Sequence, residues 1–456
     1  MINVSSSRLT ILKYVHSIMN DYLFNQNVLI LSSALATLAG FFFIILVSKT
    51  TNFYRHLVIA LGLSLGLIAA ETVVVSVTIS LSNLPVSGFY ILFVLDLLLS
   101  LLAIGGRSSK RLIATGLMAT ACTLLLLAVT VNSFYQDYPT ISSIFGNKHS
   151  TYDQRRVTIS TTNGRKFNEP TSLENALFFQ PSNKGTVYTV PIPGTTSGLK
   201  ARDAVVYLPP AYSANNLSKS TFPVLVLLSG MPGSPSDWLH GEQLELTMNN
   251  FAARHEGITP IIIMADYSGA FGNDTECVDS SKGNAETYLT SDLPNFVKQN
   301  FRVDQSPKNW AIGGFSAGGM CAAMLTLRHQ NVYQHFLDMS GDPAPTLRSP
   351  AETLRVLFKG SKVAQQEHDI NWLLKHRPVD KSVTGQFVIG GDDKKAILNN
   401  TRQTYGLAVK ADVTASIEVI PHMGHSFSAW DRGFSDSIAR LSYYVGATNC
   451  ETFCTK

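Results

Sequence analysis

Four long apolar stretches crowd the start of this chain, at 27–47, 57–81, 88–104 and 112–131, and no other feature constrains its folding as much. Each approaches or exceeds the ~20 apolar residues that an α-helix needs to cross the roughly 30 Å hydrocarbon core of a bilayer. Buried helices of water-soluble domains are seldom so long, so apolar and so closely spaced. The sequence therefore predicts a membrane domain with four transmembrane helices over 1–131. A cleavable signal peptide fits poorly, because it has one short apolar core.

Basic residues in short loops set orientation, since positively charged loops stay in the cytoplasm. Lys49 and Arg55 flank the first loop, Arg107, Lys110 and Arg111 fill the third, and 82–87 carries no charge. Arg8 and Lys13 argue mildly the other way. The expected location is the cell membrane, multi-pass, with everything after 131 extracytoplasmic. Glu71 and Asp96 fall inside the second and third stretches, where an ionisable group is costly. Each reads equally as a head-group or proton-relay site and as a neutral carboxyl hydrogen-bonded within the bundle, and neither is assigned to catalysis.

Cysteine usage points the same way, because disulfides persist in oxidising compartments. Cys277, Cys321, Cys450 and Cys454 lie in the part expected outside. Four cysteines allow three pairings. The short spacing of Cys450 and Cys454 suggests a local clip, which leaves Cys277 with Cys321. Cys122 lies in the fourth apolar stretch and reads as a small packing residue. No Cys/His spacing resembles a zinc site, so neither metal nor other cofactor is expected. A net charge of +4 with scattered basic residues gives no nucleic-acid footprint.

Residues 132–184 are rich in Ser, Thr, Asn and charge and read as an extracytoplasmic linker. Residues 185–456 suffice for one large core. Short apolar runs at 224–228, 261–265, 310–313, 336–339, 387–390 and 416–420 alternate there with helical stretches such as 290–300, 318–329 and 402–410. That alternation implies an α/β domain, with a mostly parallel sheet covered by helices on both faces.

Within this domain Gly314-Phe315-Ser316-Ala317-Gly318 forms a G-x-S-x-G box between an apolar strand-like run and a small-residue helical run. A nucleophile elbow needs that setting: its turn leaves no room for side chains two residues before and after the serine. A helix N-terminus at Ser316 would also aim N–H groups at a nearby oxyanion.

Serine needs a general base and an acid to orient it, and in such folds they follow in the order Ser, Asp/Glu, His. A strand at 386–390 runs into Gly391-Asp392-Asp393, and the next leads through Pro421-His422-Met423-Gly424 to His425. His425 is preferred to His422, because Gly424 permits the turn and aromatics follow to wall the pocket. Asp393 is preferred to Asp392. His240, His255, His329, His335, His368 and His376 are expected at the surface or at interfaces. For the oxyanion, the N–H of Ala317 would be joined by that of Met231, in the Ser229-Gly230-Met231-Pro232-Gly233 loop after the strand at 223–228.

From about 185 to 446 the chain resembles the esterases of the esterase D and antigen 85 mycolyltransferase type, which are α/β-hydrolases. The resemblance rests on Val206-Tyr207-Leu208-Pro209-Pro210, Leu227-Leu228-Ser229-Gly230-Met231, Gly314 to Gly319, Gly391-Asp392-Asp393 and Gly424-His425-Ser426 with Trp430. It implies an α/β-hydrolase fold, Asp393 as the acid and Met231 as an oxyanion donor. Mycolyltransferases hold trehalose with an aspartate and an arginine around the first loop, where this chain has Ser229 and Pro232. Hydrolysis of carboxylic esters is therefore the favoured expectation. The alternatives are acyl transfer to a sugar or lipid hydroxyl of the envelope, and a non-catalytic membrane sensor whose outer domain binds ligand. The expected partners are an ester or acyl-lipid substrate and the lipid bilayer.

Overall fold

The computed structural model describes residues 54, 94, 110–135, 155–156, 184–214, 217, 219–270 and 272–449. The chain divides into two compact units, Met1–His149 and Ser150–Lys456.

In the first unit, helix α1, Lys110–Tyr135, runs for 26 residues over the fourth predicted span. It exposes Ile113, Leu117, Met118, Leu124 and Leu125 and buries Ala119, Thr123 and Val129. Among the described residues, no helix is long and apolar enough to cross a membrane. The expected four-helix transmembrane region thus has no support there. Its first three spans, with Glu71 and Asp96, lie outside the described residues.

The second unit is built on strands β1 (Arg155–Arg156), β2 (Thr186–Val190), β3 (Ala204–Leu208), β4 (Val224–Leu228), β5 (Ile261–Ala265), β6 (Trp310–Phe315), β7 (His335–Met339), β8 (Thr384–Gly390) and β9 (Thr414–Ile420). They form one nine-stranded sheet in the order β1-β2-β3-β5-β4-β6-β7-β8-β9. From β5 to β9 all neighbours are parallel, and β3 is antiparallel to both its partners. The apolar runs read as strands in the sequence lie within these elements, with β6 to β9 extending one or more residues further. Arg155 and Arg156, in the expected linker, pair with Tyr188 and Thr189 to make the edge strand β1.

β4 reads Val-Leu-Val-Leu-Leu and β5 Ile-Ile-Ile-Met-Ala, and every residue of both is buried. Continuous apolarity is what a strand covered on both faces requires. Side chains alternate across a strand, so Val224, Val226 and Leu228 enter one core and Leu225 and Leu227 the other. The first core is closed by α3 (Leu293–Asn300), α4 (Ala317–Arg328) and α7 (Ile370–His376). The second is closed by α2 (Gln243–Arg254) and α9 (Phe427–Tyr444). On α9, Trp430, Phe434, Ile438 and Leu441 recur at helical spacing and supply its buried face. Between β7 and β8 lie the short helices α5 (Pro350–Val356) and α6 (Lys362–Gln366), followed by α7. Each starts at a side-chain N-cap, from Ser349, Ser361 and Asp369 respectively. Helix α8 (Lys395–Lys410) connects β8 to β9.

A disulfide joins Cys277 to Cys321, whose α-carbons are 5.8 Å apart. It ties the loop after β5 to α4. The same loop carries Glu276, a buried carboxyl that accepts from the Thr346 N–H at 3.1 Å. Burial, then the charge of Asp274, raises the Glu276 pKa well above the usual carboxylate value. The expected Cys450–Cys454 clip lies outside the described residues.

Candidate active site

Strand β6 ends at Phe315 and helix α4 begins at Ala317, so the whole reversal falls on Ser316. Its φ of 54° and ψ of −124° lie in a region that costs an L-residue on the order of 1–3 kcal/mol. The strain is held by neighbours on both sides. Ser316 N–H donates to the Met339 carbonyl at 2.8 Å, and the Ser316 carbonyl accepts from Gly319 and Met320. Gly314 has no room for a side chain, since a Cβ there would meet the Gly318 carbonyl at 2.4 Å. Gly319 is equally hemmed in, by the Asp338 carboxyl at 2.5 Å.

Ser316 Oγ lies 3.0 Å from His425 Nε2, and His425 Nδ1 lies 3.0 Å from Asp393 Oδ2. With Nδ1–H donating to the carboxylate, Nε2 is left to accept from the serine hydroxyl. Asp393 is held in turn by the Lys394 N–H, which donates to Oδ1 at 2.7 Å. These three side chains come from three loops at the carboxyl ends of β6, β8 and β9.

Asp392 and His422 take no part in these contacts. Asp392 is exposed, and its N–H donates to the Met423 carbonyl at 2.9 Å. His422 is exposed at a φ of 59°. The distinction is a matter of burial: the Asp393 side chain is fully buried while its partner His425 keeps 29% exposure. Aromatic rings back the imidazole. Trp430 meets His425 edge-on at 5.0 Å between centroids and stacks on Phe315 at 4.4 Å. Phe427 packs against both Phe315 and Trp430.

The loop after β4 passes directly over Ser316. A Cβ on Gly230 would lie 3.1 Å from Ser316 Cβ and 3.2 Å from the Phe315 ring. Met231 is the next residue along this loop, and Ala317 is the first of α4.

Several residues around this site escape sequence reasoning. Arg202 donates through Nη2 to the Gly233 carbonyl, to Asp266 Oδ1 and to Ser268 Oγ. Tyr267 O–H donates to the Ser229 carbonyl at 3.0 Å. Burial works against ionisation of Asp266, but the Arg202 side-chain and backbone hydrogen bonds outweigh it and hold the pKa below the ordinary value. Asp338 is pushed up to about 7 by burial, against the Gly341 N–H that donates to it. Asp342, exposed over much of its surface, still has too little solvent at its carboxyl, which raises its pKa; His425 and Lys394 oppose that rise. Arginines and acids of this sort have no spacing signature, because their partners are up to 66 residues away.

Two histidines expected at the surface or at interfaces are buried instead. His335 bonds Thr384 Oγ1 and the Lys308 carbonyl. His368 Nε2 lies 2.9 Å from Glu286 Oε2, and the other oxygen of Glu286 takes Arg328 and His329.

A parallel sheet flanked by helices, with a serine turn after its central strand and His and Asp after later strands, defines an α/β-hydrolase fold. Residues 200–441 match the family described as "Putative esterase". An uncharacterized protein of Corynebacterium glutamicum is 35% identical over 347 residues, covering 73% of this chain and 76% of that relative. An endo-1,4-beta-xylanase/feruloyl esterase of Xylanibacter ruminicola is 27% identical over 194 residues, 41% of this chain and 26% of that relative. Among solved structures, a ferulic acid esterase matches with a TM-score of 0.48 and 20% identity, over 58% of this chain and 99% of its own. The chain belongs to the esterase family, and is an enzyme of the α/β-hydrolase type.

Proposed function

We propose that the protein is a membrane-anchored, extracytoplasmic serine hydrolase of carboxylic esters. The observation that carries this reading is the pair of 3.0 Å contacts running from Ser316 through His425 to Asp393. As Ser316 Oγ attacks the ester carbonyl carbon, His425 Nε2 takes its proton, and Asp393 stabilises the imidazolium. The carbonyl π electrons move to oxygen, where the N–H groups of Ala317 and Met231 receive the negative charge. Collapse of this intermediate breaks the bond to the alkoxy group, which leaves as an alcohol with the proton from His425. Water then attacks the acyl-Ser316 ester with His425 again as base. A carboxylic acid departs and Ser316 is regenerated.

The anchoring is supported by the four apolar stretches before residue 132, and export by the Cys277–Cys321 disulfide. Acyl transfer to a sugar or lipid hydroxyl uses the same acyl-enzyme and differs only in the second nucleophile.

The test is burst kinetics of the full chain with p-nitrophenyl esters of increasing chain length, and with feruloyl esters because a relative bears that activity in its name. A burst followed by turnover is expected, with Ser316→Ala lowering kcat by about 10⁶-fold. A burst that stalls until a sugar or lipid alcohol is added indicates transfer. A fully active Ser316→Ala variant overturns the reading. Separately, protease added to intact cells should degrade the 185–456 domain, and protection of it would refute the extracytoplasmic placement.

A further inference from the structure

The loop at 229–233 must hold one backbone N–H in register with Ser316, yet it is rich in glycine and follows the end of a strand. Left to itself such a segment samples many conformations. Its own folding closes it only in part: a Cβ on Gly233 would lie 2.4 Å from the Gly230 carbonyl oxygen, so the two ends of the loop are in contact.

The remaining restraint comes from outside, at both ends. At the start, the Ser229 carbonyl accepts from Tyr267 O–H at 3.0 Å. Tyr267 is buried and its pKa is raised well above that of a free phenol, chiefly by burial, so the hydroxyl stays protonated and remains a donor. At the end, the Gly233 carbonyl accepts from Arg202 Nη2 at 2.7 Å. That guanidinium cannot swing away, because the same nitrogen lies 2.7 Å from Asp266 Oδ1 and 2.8 Å from Ser268 Oγ. Asp266 is fixed as well: Oδ2 accepts from the backbone N–H of Arg202 at 2.7 Å and of Gly269 at 2.9 Å. Just beyond the loop, Ser234 N–H and Oγ–H both donate to Asp237.

We propose that Arg202 and Tyr267 are positioning residues for the oxyanion hole, gripping the loop by its two end carbonyls so that the Met231 N–H stays aimed at the developing negative charge. The inference rests on the reading of Ser316 as nucleophile and of Met231 as donor. Neither residue needs to touch the substrate. A preorganised donor stabilises the transition state without reorganising at the moment of reaction, and a slack loop loses that advantage. Ground-state binding does not use the donor, so loosening it lowers kcat and leaves KM nearly unchanged.

The experiment compares Tyr267→Phe, Arg202→Met and Arg202→Lys with the parent full chain, reading kcat, KM, the pH profile of kcat/KM and inhibition by phenylboronic acid. The boronate adds Ser316 Oγ to boron and so mimics the tetrahedral state. Tyr267→Phe keeps the ring that fills the core, so folding is retained and only the donor is lost. Arg202→Met keeps an unbranched stem, and adding Asp266→Asn spares it an orphaned buried charge. Each loss should cut kcat by about 10–100-fold, the scale set by an ångström of misplacement. Boronate affinity should fall by the same factor as kcat/KM. The pH midpoint should stay in place, since His425 and Asp393 are untouched, and Arg202→Lys should recover part of the loss.

Unchanged kcat in Tyr267→Phe and Arg202→Met, with Ser316→Ala inactive, would refute the clamp and leave the hydrolase reading standing. Lost kcat with unchanged boronate affinity, or with a proportionate rise in KM, refutes it too, because the effect then does not act through the oxyanion. If Ser316→Ala turns over normally, the underlying reading falls first.

Discussion

Gly318 lies so close to Leu228 that a Cβ built on it would stand 2.4 Å from the Leu228 carbonyl oxygen and 2.5 Å from that of Ser229. The first turn of α4 is thus pressed against the end of β4, with the loop over Ser316 held between backbone surfaces. Both residues are buried, Leu228 at the end of β4 and Ser229 just past it, where its carbonyl accepts from Tyr267 O–H. Gly318→Ala should therefore push the loop and Ser316 apart. Overpacking at this level costs roughly 1–3 kcal/mol. A lower melting temperature with a larger proportional loss of kcat is expected, and a variant with parental activity would show that the contact does not position Ser316.

Trp430 bridges His425 and the serine turn, meeting His425 edge-on and Phe315 face-on. Replacing it with alanine opens a cavity at the top of the second core and removes the wall behind the imidazole. Such truncations cost about 3–5 kcal/mol. Trp430→Phe should restore most of the stability but less of the activity, because a smaller ring cannot reach both neighbours; chemical denaturation and ester turnover measure the two separately.

Asp338 sits against the elbow glycines and titrates at about 7 in the folded chain, because burial disfavours its charged form. An unfolded aspartate releases its proton near pH 4, so between roughly pH 4 and 7 the folded state alone keeps the proton. Stability must then fall as pH rises through that window and level off above it. Asp338→Asn, which can still accept from Gly341 N–H, should flatten this slope by up to a few kcal/mol across the window. Parallel stability curves for the variant and the parent from pH 4 to 8 would show that Asp338 titrates normally.

The Cys277–Cys321 bridge closes a loop of 44 residues that ends five residues past Ser316. Closing such a loop restricts the unfolded chain by about 2–4 kcal/mol. Cys277→Ser with Cys321→Ser should lower the melting temperature to the value the parent shows after reduction. A variant that melts like the oxidised parent would mean that the bridge contributes nothing in solution.

Much of this domain is legible in sequence because its signals are local. Val224 to Leu228 and Ile261 to Ala265 are unbroken apolar runs, and a strand buried on both faces leaves that trace. The glycines around Ser316 are local as well, since the turn itself excludes side chains. β9 gives a fainter trace because it lies at the sheet edge, with most of its residues only partly buried. The edge strand at Arg155 and Arg156 leaves almost none, being two polar residues in a polar segment.

Sequence by itself determined the alternation of strands and helices, the serine turn, and the short list of acids and histidines able to serve it. It also preferred Asp393 to Asp392 and His425 to His422, but only the tertiary structure brings the side chains together. Asp393 and not Asp392 reaches His425, because only one of two adjacent side chains at a strand end can point inward. Arg202 and Tyr267 meet the 229–233 loop only because the sheet order sets β3 and β5 beside β4. Local steric rules and hydropathy are written residue by residue, whereas hydrogen bonds between distant segments exist only once the sheet has assembled them.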